Sequence, residues 1–158
     1  MTTVLLWSDA PDRDVHDRDL LDGLPAGRVV APRDWVGPLA REVLLRSFAE
    51  ARGEGLGEGV LVVGVGRGAT AAASLLLHQR RLGLRLEHVV CVDTSWGAVD
   101  PISERALPKP GPVVPPTRVD LVGDDPASLD RAQEWARLDW DAHHHPAGTR
   151  VASLVLRP

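Results

Sequence analysis

Short apolar runs alternate with helical patterns along most of this chain. Such alternation is typical of a mostly parallel β-sheet that is covered by helices. The predicted strands lie at residues 4–7, 28–31, 60–63, 88–93, 117–122 and 138–142. The third and fourth runs are apolar at successive positions, as expected for central strands that are buried on both faces. The pattern therefore predicts one three-layer α/β domain over residues 1–158, with a sheet of five or six strands.

Apolar residues at helical spacing mark the segments that would cover this sheet. The first stripe consists of Val36, Leu39, Ala40, Val43, Leu44 and Phe48. A second helix follows the glycine turn at residues 64–68, and its expected buried side consists of Ala69, Ala72, Ala73, Leu76 and Leu77. A third helix is predicted to start after the Asp125-Pro126 pair and to end near Arg137, because Asp followed by Pro is a common helix start.

The segment from residue 94 to residue 116 departs from this alternation. It is rich in proline and contains the run PKPGPVVPP. Because proline has no amide hydrogen to donate to a sheet, we predict an irregular excursion over the sheet edge here.

Composition limits the kinds of binding partner and the cellular compartment that we expect for this chain. The chain has 158 residues and a formal net charge of −4, without an arginine-rich run, which argues against nucleic acid. No segment approaches the about 18 apolar residues that a membrane span needs. Cys91 is the only cysteine and lies in a predicted central strand, where we expect a buried, inert thiol in a reducing compartment. These features predict a cytoplasmic protein. Lys109 is the only lysine among 18 basic residues, a bias typical of a GC-rich bacterial coding sequence.

The glycine turn has three possible interpretations. A tight turn brings a helix close to a strand, so the turn can be a connection without any ligand. Gly64, Gly66 and Ala69 also satisfy the dinucleotide pattern G-x-G-x-x-A, with Asp93 as the ribose carboxylate. However, two strands and a long helix precede the turn, and too few residues follow Asp93 to complete a dehydrogenase. The third interpretation is a G-x-S-x-G nucleophile elbow with Gly66 at its centre.

The order of polar residues after the turn favours the third interpretation. Asp93 and Asp125 follow the next two strands, and histidines come near the C-terminal end, which is the nucleophile–acid–histidine order of the α/β-hydrolases. The stretch VLVVGVGRGATAAASLLLHQRRLGLRLEHVVCVDTSW resembles the elbow, helix and next strand of thioesterase-like α/β-hydrolases. The stretch VDLVGDDPASLDRAQEWA resembles the later strand and helix of small bacterial serine hydrolases. The resemblance implies that Asp93 or Asp125 is the catalytic acid and that His145, or a neighbouring histidine, is the base.

Two departures from that family change the expected chemistry. Gly66 stands where the nucleophile would be, and Trp7-Ser8 stands where the family often has His-Gly. The family's lid is reduced to at most the proline-rich segment. Without an oxygen or sulfur nucleophile, acyl-enzyme hydrolysis is not possible. Backbone amides of Arg67 and of the loop at Ser8 could still bind an anion or a carbonyl oxygen, and an acid–histidine pair could still move protons.

We therefore expect a non-hydrolytic member of this group that acts in bacterial biosynthesis. It would bind a small acyl or carbonyl compound, or convert it by isomerisation, cyclisation or elimination, without a cofactor or metal. Two alternatives remain open. One is a pseudo-hydrolase that docks a partner enzyme or forms a homodimer, and the other is a nucleotide-binding domain that uses the glycine turn.

Several candidate side chains also have ordinary structural explanations. Asp125 can simply cap the helix that follows it, and Asp124 can be a solvated loop charge. Of the histidines at 143–145, His143 and His145 would share a strand face with Asp139 and Asp141, and these side chains could bind a metal. However, a run of histidines at the surface is also common without any function. The choice among the three histidines rests on the resemblance alone.

The tryptophans divide into two expected groups. Trp7 and Trp96 each follow the end of a predicted strand and should line an aromatic crevice at the carboxyl edge of the sheet. Core or helix-packing positions are expected for Trp35, Trp135 and Trp140. Surface or strand-end positions are expected for His16, His78 and His88.

Overall fold

A computed structural model describes residues 2–6, 23–24, 27–30, 37–54 and 59–155. Its strands are β1 (Thr2–Leu6), β2 (Gly27–Val30), β3 (Val60–Val65), β4 (His88–Val92), β5 (Arg118–Val122) and β6 (Asp141–His145). Its helices are α1 (Gly37–Glu54), α2 (Arg67–His78), α3 (Pro126–Arg137) and α4 (Val151–Val155). The strands lie in the order β2-β1-β3-β4-β5-β6, and every pair is parallel. The described part of the chain thus has the α/β arrangement that the alternation predicted.

Valine-rich strands occupy the middle of the sheet. Every position of β3 and β4 is buried, which confirms the prediction of two central strands covered on both faces. The register brings the last residues of four neighbouring strands, Val65, Val92, Val122 and His145, into one row. Because parallel strands end at the same edge, the loops that follow them converge there.

Helices cover both faces of the sheet. One apolar cluster joins α1, α2 and α3 to the sheet, and its members include Leu44, Phe48, Ala72, Leu76 and Trp135. A smaller cluster on the opposite face joins α4 to β3, β4 and β5, and its members include Val63, Val90, Val122, Val151 and Leu154. The sheet therefore lies between two helical layers. Within the described ranges, no helix has the length and apolar character needed to cross a membrane.

The connection from β4 to β5 contains neither a helix nor a strand, as its proline content predicted. A parallel crossover usually contains a helix that covers the sheet, so this connection needs another attachment. Three polar side chains, one helical turn apart on α2, provide it: Thr70, Ser74 and His78. Thr70 donates a hydrogen bond to the Ser95 carbonyl oxygen at 2.7 Å, and the other two bond the carboxylate of Asp100. The connection is thereby docked on α2, and nearly all of that helix is buried.

Asp100 is the centre of this attachment. It is fully buried and accepts hydrogen bonds from His78 Nε2 at 2.7 Å, from the Ile102 amide at 2.9 Å and from Ser103 Oγ at 2.9 Å, besides the Ser74 hydroxyl. Burial alone would raise the pKa of Asp100. The hydrogen bonds outweigh that effect, because they stabilise the carboxylate, and they lower its pKa to about 2.

The structure corrects the expected exposure of two histidines. His88 does lie at the end of a strand, but both His78 and His88 are buried rather than at the surface. The physical reason is that each donates a hydrogen bond to a buried carboxylate, that of Asp100 and that of Asp120 respectively. A buried polar ring is tolerated where such a partner satisfies it.

Two further expectations differ in detail. Leu39 is 72% exposed, because the buried stripe of α1 is narrow and Leu39 lies about 100° around the helix from Ala40. The last strand begins at Asp141 rather than at residue 138, because the chain after α3 first turns through Asp139, whose φ is 66°. Outside the described residues lie Val36, Trp35 and His16.

Replacing Asp100 with asparagine tests the attachment of the β4–β5 connection. We expect Asp100→Asn to lower the free energy of unfolding at pH 7 by about 2 kcal/mol, because a hydrogen bond to a charged group contributes about 1.5–3 kcal/mol. Urea denaturation measures this change. The matched control is Asp130→Asn, since Asp130 is exposed on α3 and its side chain forms no hydrogen bond or ion pair within the described residues.

The pH dependence of this effect has a defined sign. The folded-state pKa of Asp100, about 2, lies below its ordinary value of 3.8, so its stabilisation is present above about pH 4 and is lost as the pH falls toward 2. The difference in unfolding free energy between wild type and Asp100→Asn should therefore shrink across that window. A difference that is constant with pH, or no larger than that of the control, would contradict this role.

Candidate functional site

Gly66 forms the turn between β3 and α2 at the carboxyl edge of the sheet. Its φ and ψ are 62° and −118°, a left-handed backbone region that glycine adopts more easily than other residues. Its amide donates a hydrogen bond to the Val92 carbonyl at 2.9 Å, and its own carbonyl accepts from the amides of Ala69 and Thr70. The turn therefore connects β3 and β4 to the first turn of α2 through backbone hydrogen bonds.

The backbone of α2 lies directly against the backbone of β3 at Gly64. A Cβ atom on Gly64 would lie 2.3 Å from the Gly68 carbonyl oxygen and 2.5 Å from the Ala69 Cα. Real Cβ atoms do not approach backbone atoms so closely, so only glycine fits at position 64. Together with the turn at Gly66, this gives the sharp strand-to-helix reversal that a nucleophile elbow requires.

An open cleft of about 490 Å³ lies at the same edge of the sheet, above the ends of β4, β5 and β6. It is lined by Asp93, Thr94, Trp96, Asp124, Asp125, Ala127 and Ala147. Three of these side chains are carboxylates, and Asp124 also accepts a hydrogen bond from the Ala147 amide at 2.9 Å. The cleft therefore carries negative charge, which disfavours an anionic ligand and favours a neutral or cationic one.

Asp93 and Asp125 converge on Gly123. A Cβ atom built on Gly123 would lie 2.8 Å from Asp125 Oδ1 and 3.5 Å from Asp93 Oδ1. Asp125 is the N-cap of α3 and accepts hydrogen bonds from the amide and the hydroxyl of Ser128, with Pro126 after it. This confirms the capping interpretation of Asp125. Asp93 directly follows β4 with a φ of 49°, and its side chain is exposed in the cleft.

Trp96 lines the cleft, as its position after β4 predicted. Its Nε1 donates a hydrogen bond to Ser128 Oγ at 2.9 Å, and its ring meets that of Trp135 edge to face, with centroids 6.0 Å apart. The guanidinium carbon of Arg131 lies 4.5 Å from the ring centroid. These contacts fix the indole in one orientation. Both Trp135 and Trp140 are buried in the core, as expected.

The three consecutive histidines bond neither Asp93 nor Asp125. His145 Nε2 bonds Asp120 Oδ1 at 2.6 Å, and His143 Nε2 bonds Asp141 Oδ1 at 2.5 Å. His144 Nε2 donates instead to the Gly123 carbonyl oxygen at 2.7 Å. The structure thus pairs His145 with neither of the acids that the resemblance implied, because its side chain is held on β5.

Asp120 is the buried carboxylate that holds His145. It is fully buried in β5 and accepts hydrogen bonds from His88 Nε2 at 2.5 Å and from Arg118 Nε at 3.0 Å as well. Burial acts to raise the pKa of Asp120, but the hydrogen bonds from His88, Arg118 and His145 outweigh it and lower the pKa. Sequence reasoning did not single out Asp120. The available signal was a charged residue inside a buried strand, which needs a partner.

The path of the chain reverses beside Gly66. From β1 the chain goes to β2 at one side of the sheet and then returns past β1 to β3. Parallel α/β sheets often bind ligands at the carboxyl ends of the strands where such a reversal occurs. Here the reversal lies between β1 and β3, whereas the described cleft lies above β4, β5 and β6. Two sequence candidates for this crevice, Trp7 and Ser8, lie outside the described residues, and Arg67 is the exposed first residue of α2.

Neither a reactive thiol nor a metal-binding cluster is found among the described residues. Cys91 is buried, and burial raises the pKa of its thiol to about 12, so it is not a nucleophile at neutral pH. No group of three or more His, Cys, Asp or Glu side chains in the described ranges is arranged to hold a metal ion.

Comparison with known proteins gives no family assignment. The sequence matches no protein-family model and no curated protein.

Gly64→Ala tests the contact between β3 and α2. We expect this substitution to lower the free energy of unfolding by about 3 kcal/mol, near the upper end of the range for overpacked interiors, because backbone atoms of Gly68 and Ala69 must move. The control is Gly97→Ala, where a Cβ atom meets nothing within 4 Å and the change should be within about 0.5 kcal/mol. Urea denaturation of both variants measures the difference, and equal effects would show that the contact is not tight.

Proposed function

We propose that this protein is a non-hydrolytic α/β-hydrolase-like protein that binds a small neutral carbonyl compound in the cleft at the carboxyl edge of the sheet. The observation that carries the proposal is the backbone of Gly66: a strained strand-to-helix turn at the carboxyl edge of a central strand, without a side chain. In the α/β-hydrolases this turn presents the attacking oxygen. Here the same position carries no side chain and therefore no nucleophile.

The absence of a nucleophile at the turn supports a non-hydrolytic role. Covalent acyl transfer needs an oxygen or sulfur that an adjacent base activates. Gly66 offers neither atom, and the thiol of Cys91 is buried. The imidazole of His145, which would be the base in a hydrolase of this chain order, is bonded to Asp120 instead.

The charge of the cleft supports a neutral carbonyl ligand over a carboxylate. Three aspartates line the cleft, and like charges repel each other, so an anionic ligand is disfavoured. A phosphate group would meet the same repulsion, which argues against the nucleotide-binding alternative.

Asp93 is the group in the cleft best placed to move a proton. Both oxygens of Asp125 accept hydrogen bonds from Ser128 as part of the helix cap. Asp93 lies on the other side of Gly123, and its side chain is exposed where it lines the cleft. A carboxylate next to a carbonyl-bearing ligand can accept a proton from the carbon beside the carbonyl and return it. This supports enolisation chemistry, the first step of many isomerisations and eliminations.

Labelling with a fluorophosphonate probe tests the non-hydrolytic assignment. We expect no labelling of the purified chain, because no activated serine stands at the turn. An active serine hydrolase treated in parallel shows that the probe is reactive. Labelling of any serine, located by mass spectrometry, would show that the chain has a nucleophile elsewhere and would overturn the proposal.

Proton exchange tests the ligand class and the role of Asp93. Short ketones and thioesters should shift the amide resonances of residues 66–68 and 93–96 in a ¹⁵N-labelled sample, and matched carboxylates should bind about 10-fold more weakly. In deuterated water the protein should accelerate exchange of the hydrogens beside the ketone carbonyl. Asp93→Asn should reduce this acceleration by about 100-fold, the typical contribution of a positioned base.

The matched control for this experiment is Asp139→Asn. Asp139 is also exposed and also has a positive φ, but it lies before β6 at the opposite edge of the sheet. We expect the control to leave both binding and exchange unchanged. Amide resonance shifts that map away from the cleft, or equal rates of hydrogen exchange in the two variants, would contradict the proposal. Tighter binding of NAD or ATP than of the ketones and thioesters would favour the nucleotide-binding alternative.

A further inference from the structure

An apolar groove lies at the edge of the sheet opposite the cleft. It has a volume of about 460 Å³ and runs between the C-terminal end of α2 and the end of the proline-rich connection. Its apolar lining includes Leu76, Leu77, Leu84, Val113, Val114 and Trp140. A volume of this size and an apolar wall are typical of small-molecule sites.

Hydrogen bonds hold one wall of the groove in place. Gln79, which lines the groove, accepts from the Leu86 amide at 3.2 Å and donates through Nε2 to Thr117 Oγ1 at 3.2 Å. Thr117 in turn donates to the Leu86 carbonyl oxygen at 2.7 Å. The facing wall contains prolines, whose fixed φ limits its movement. The groove is therefore formed before any ligand binds.

The apolar wall of the groove is open to solvent. Val113 and Val114 are 50% and 46% exposed. Adjacent exposed valines lose contact with water when a ligand covers them, and burial of apolar surface is the main driving force for such binding. The chain thus provides an apolar surface beside a preformed hollow.

Two arginines supply the charge at the groove. Arg80 and Arg85 both line it, and both are exposed. Neither guanidinium forms an ion pair or hydrogen bond with another of the described residues. The nearby acid, Glu87, has its carboxylate against Gly59. In a chain with a net charge of −4, this local excess of positive charge complements an anion.

We propose that this groove binds a small amphipathic carboxylate, with its alkyl chain against the apolar wall and its carboxylate on Arg80 and Arg85. Arginine suits this role because its planar guanidinium can hold a carboxylate through two parallel hydrogen bonds. The groove is separate from the cleft at the carboxyl edge of the sheet, so this proposal does not depend on the function proposed for that cleft.

Titration with decanoate, below its micelle concentration, tests the proposal. We expect saturable shifts of amide resonances in residues 76–86 and 111–116 of a ¹⁵N-labelled sample. Arg80→Gln and Arg85→Gln should each weaken binding by about 10-fold, as expected for the loss of a charge-assisted hydrogen bond. The matched control is Arg41→Gln, an exposed arginine on α1, which should leave the affinity unchanged.

Two comparisons separate specific binding from general apolar association. Decanamide, which has the same chain without the charge, should bind about 10-fold more weakly than decanoate. Val113→Asp should abolish decanoate binding, whereas Val99→Asp, at another exposed valine that does not line the groove, should not. Equal binding of the amide, equal affinity of the arginine variants, or shifts spread over other surfaces would overturn the proposal.

Discussion

The close contact between β3 and α2 sets the position of a helix on which much of the remaining structure depends. Because Gly64 has no side chain, the backbone of Gly68 can lie directly against β3, and the helix begins at the carboxyl edge of the sheet. The polar stripe of this helix then holds the β4–β5 connection, and its last turn forms a wall of the apolar groove. A wider spacing between strand and helix would alter both.

The aspartates of the chain divide between structure and site. Asp100 and Asp120 are fully buried, and each is neutralised by histidine, hydroxyl or arginine donors. Asp93 and Asp125 instead lie at the cleft. As a consequence, His78, His88 and His145 stabilise the fold through these buried carboxylates and do not bond the carboxylates of the cleft. The proposed proton transfer by a carboxylate accords with this division, since none of the three consecutive histidines bonds Asp93 or Asp125.

The two hollows carry opposite charges. Aspartates line the cleft at the carboxyl edge of the sheet, and arginines line the groove beyond the C-terminal end of α2. This difference is the basis of the two ligands that we propose, a neutral carbonyl compound for the cleft and an amphipathic anion for the groove.

Periodicity and turn chemistry were enough to predict the central strands, the glycine turn, the helix cap at Asp125 and the irregular connection, because each depends on residues close together in the chain. The sequence by itself thus determined the α/β architecture and brought Gly66 and Asp93 to one edge of the sheet. Side-chain pairing depended on the tertiary structure. His78 meets Asp100 across 22 positions and His145 meets Asp120 across 25, and no local spacing specifies such partners. Only the packing of strands and helices decides which carboxylate each imidazole reaches, since a hydrogen bond depends on distances of a few tenths of an ångström.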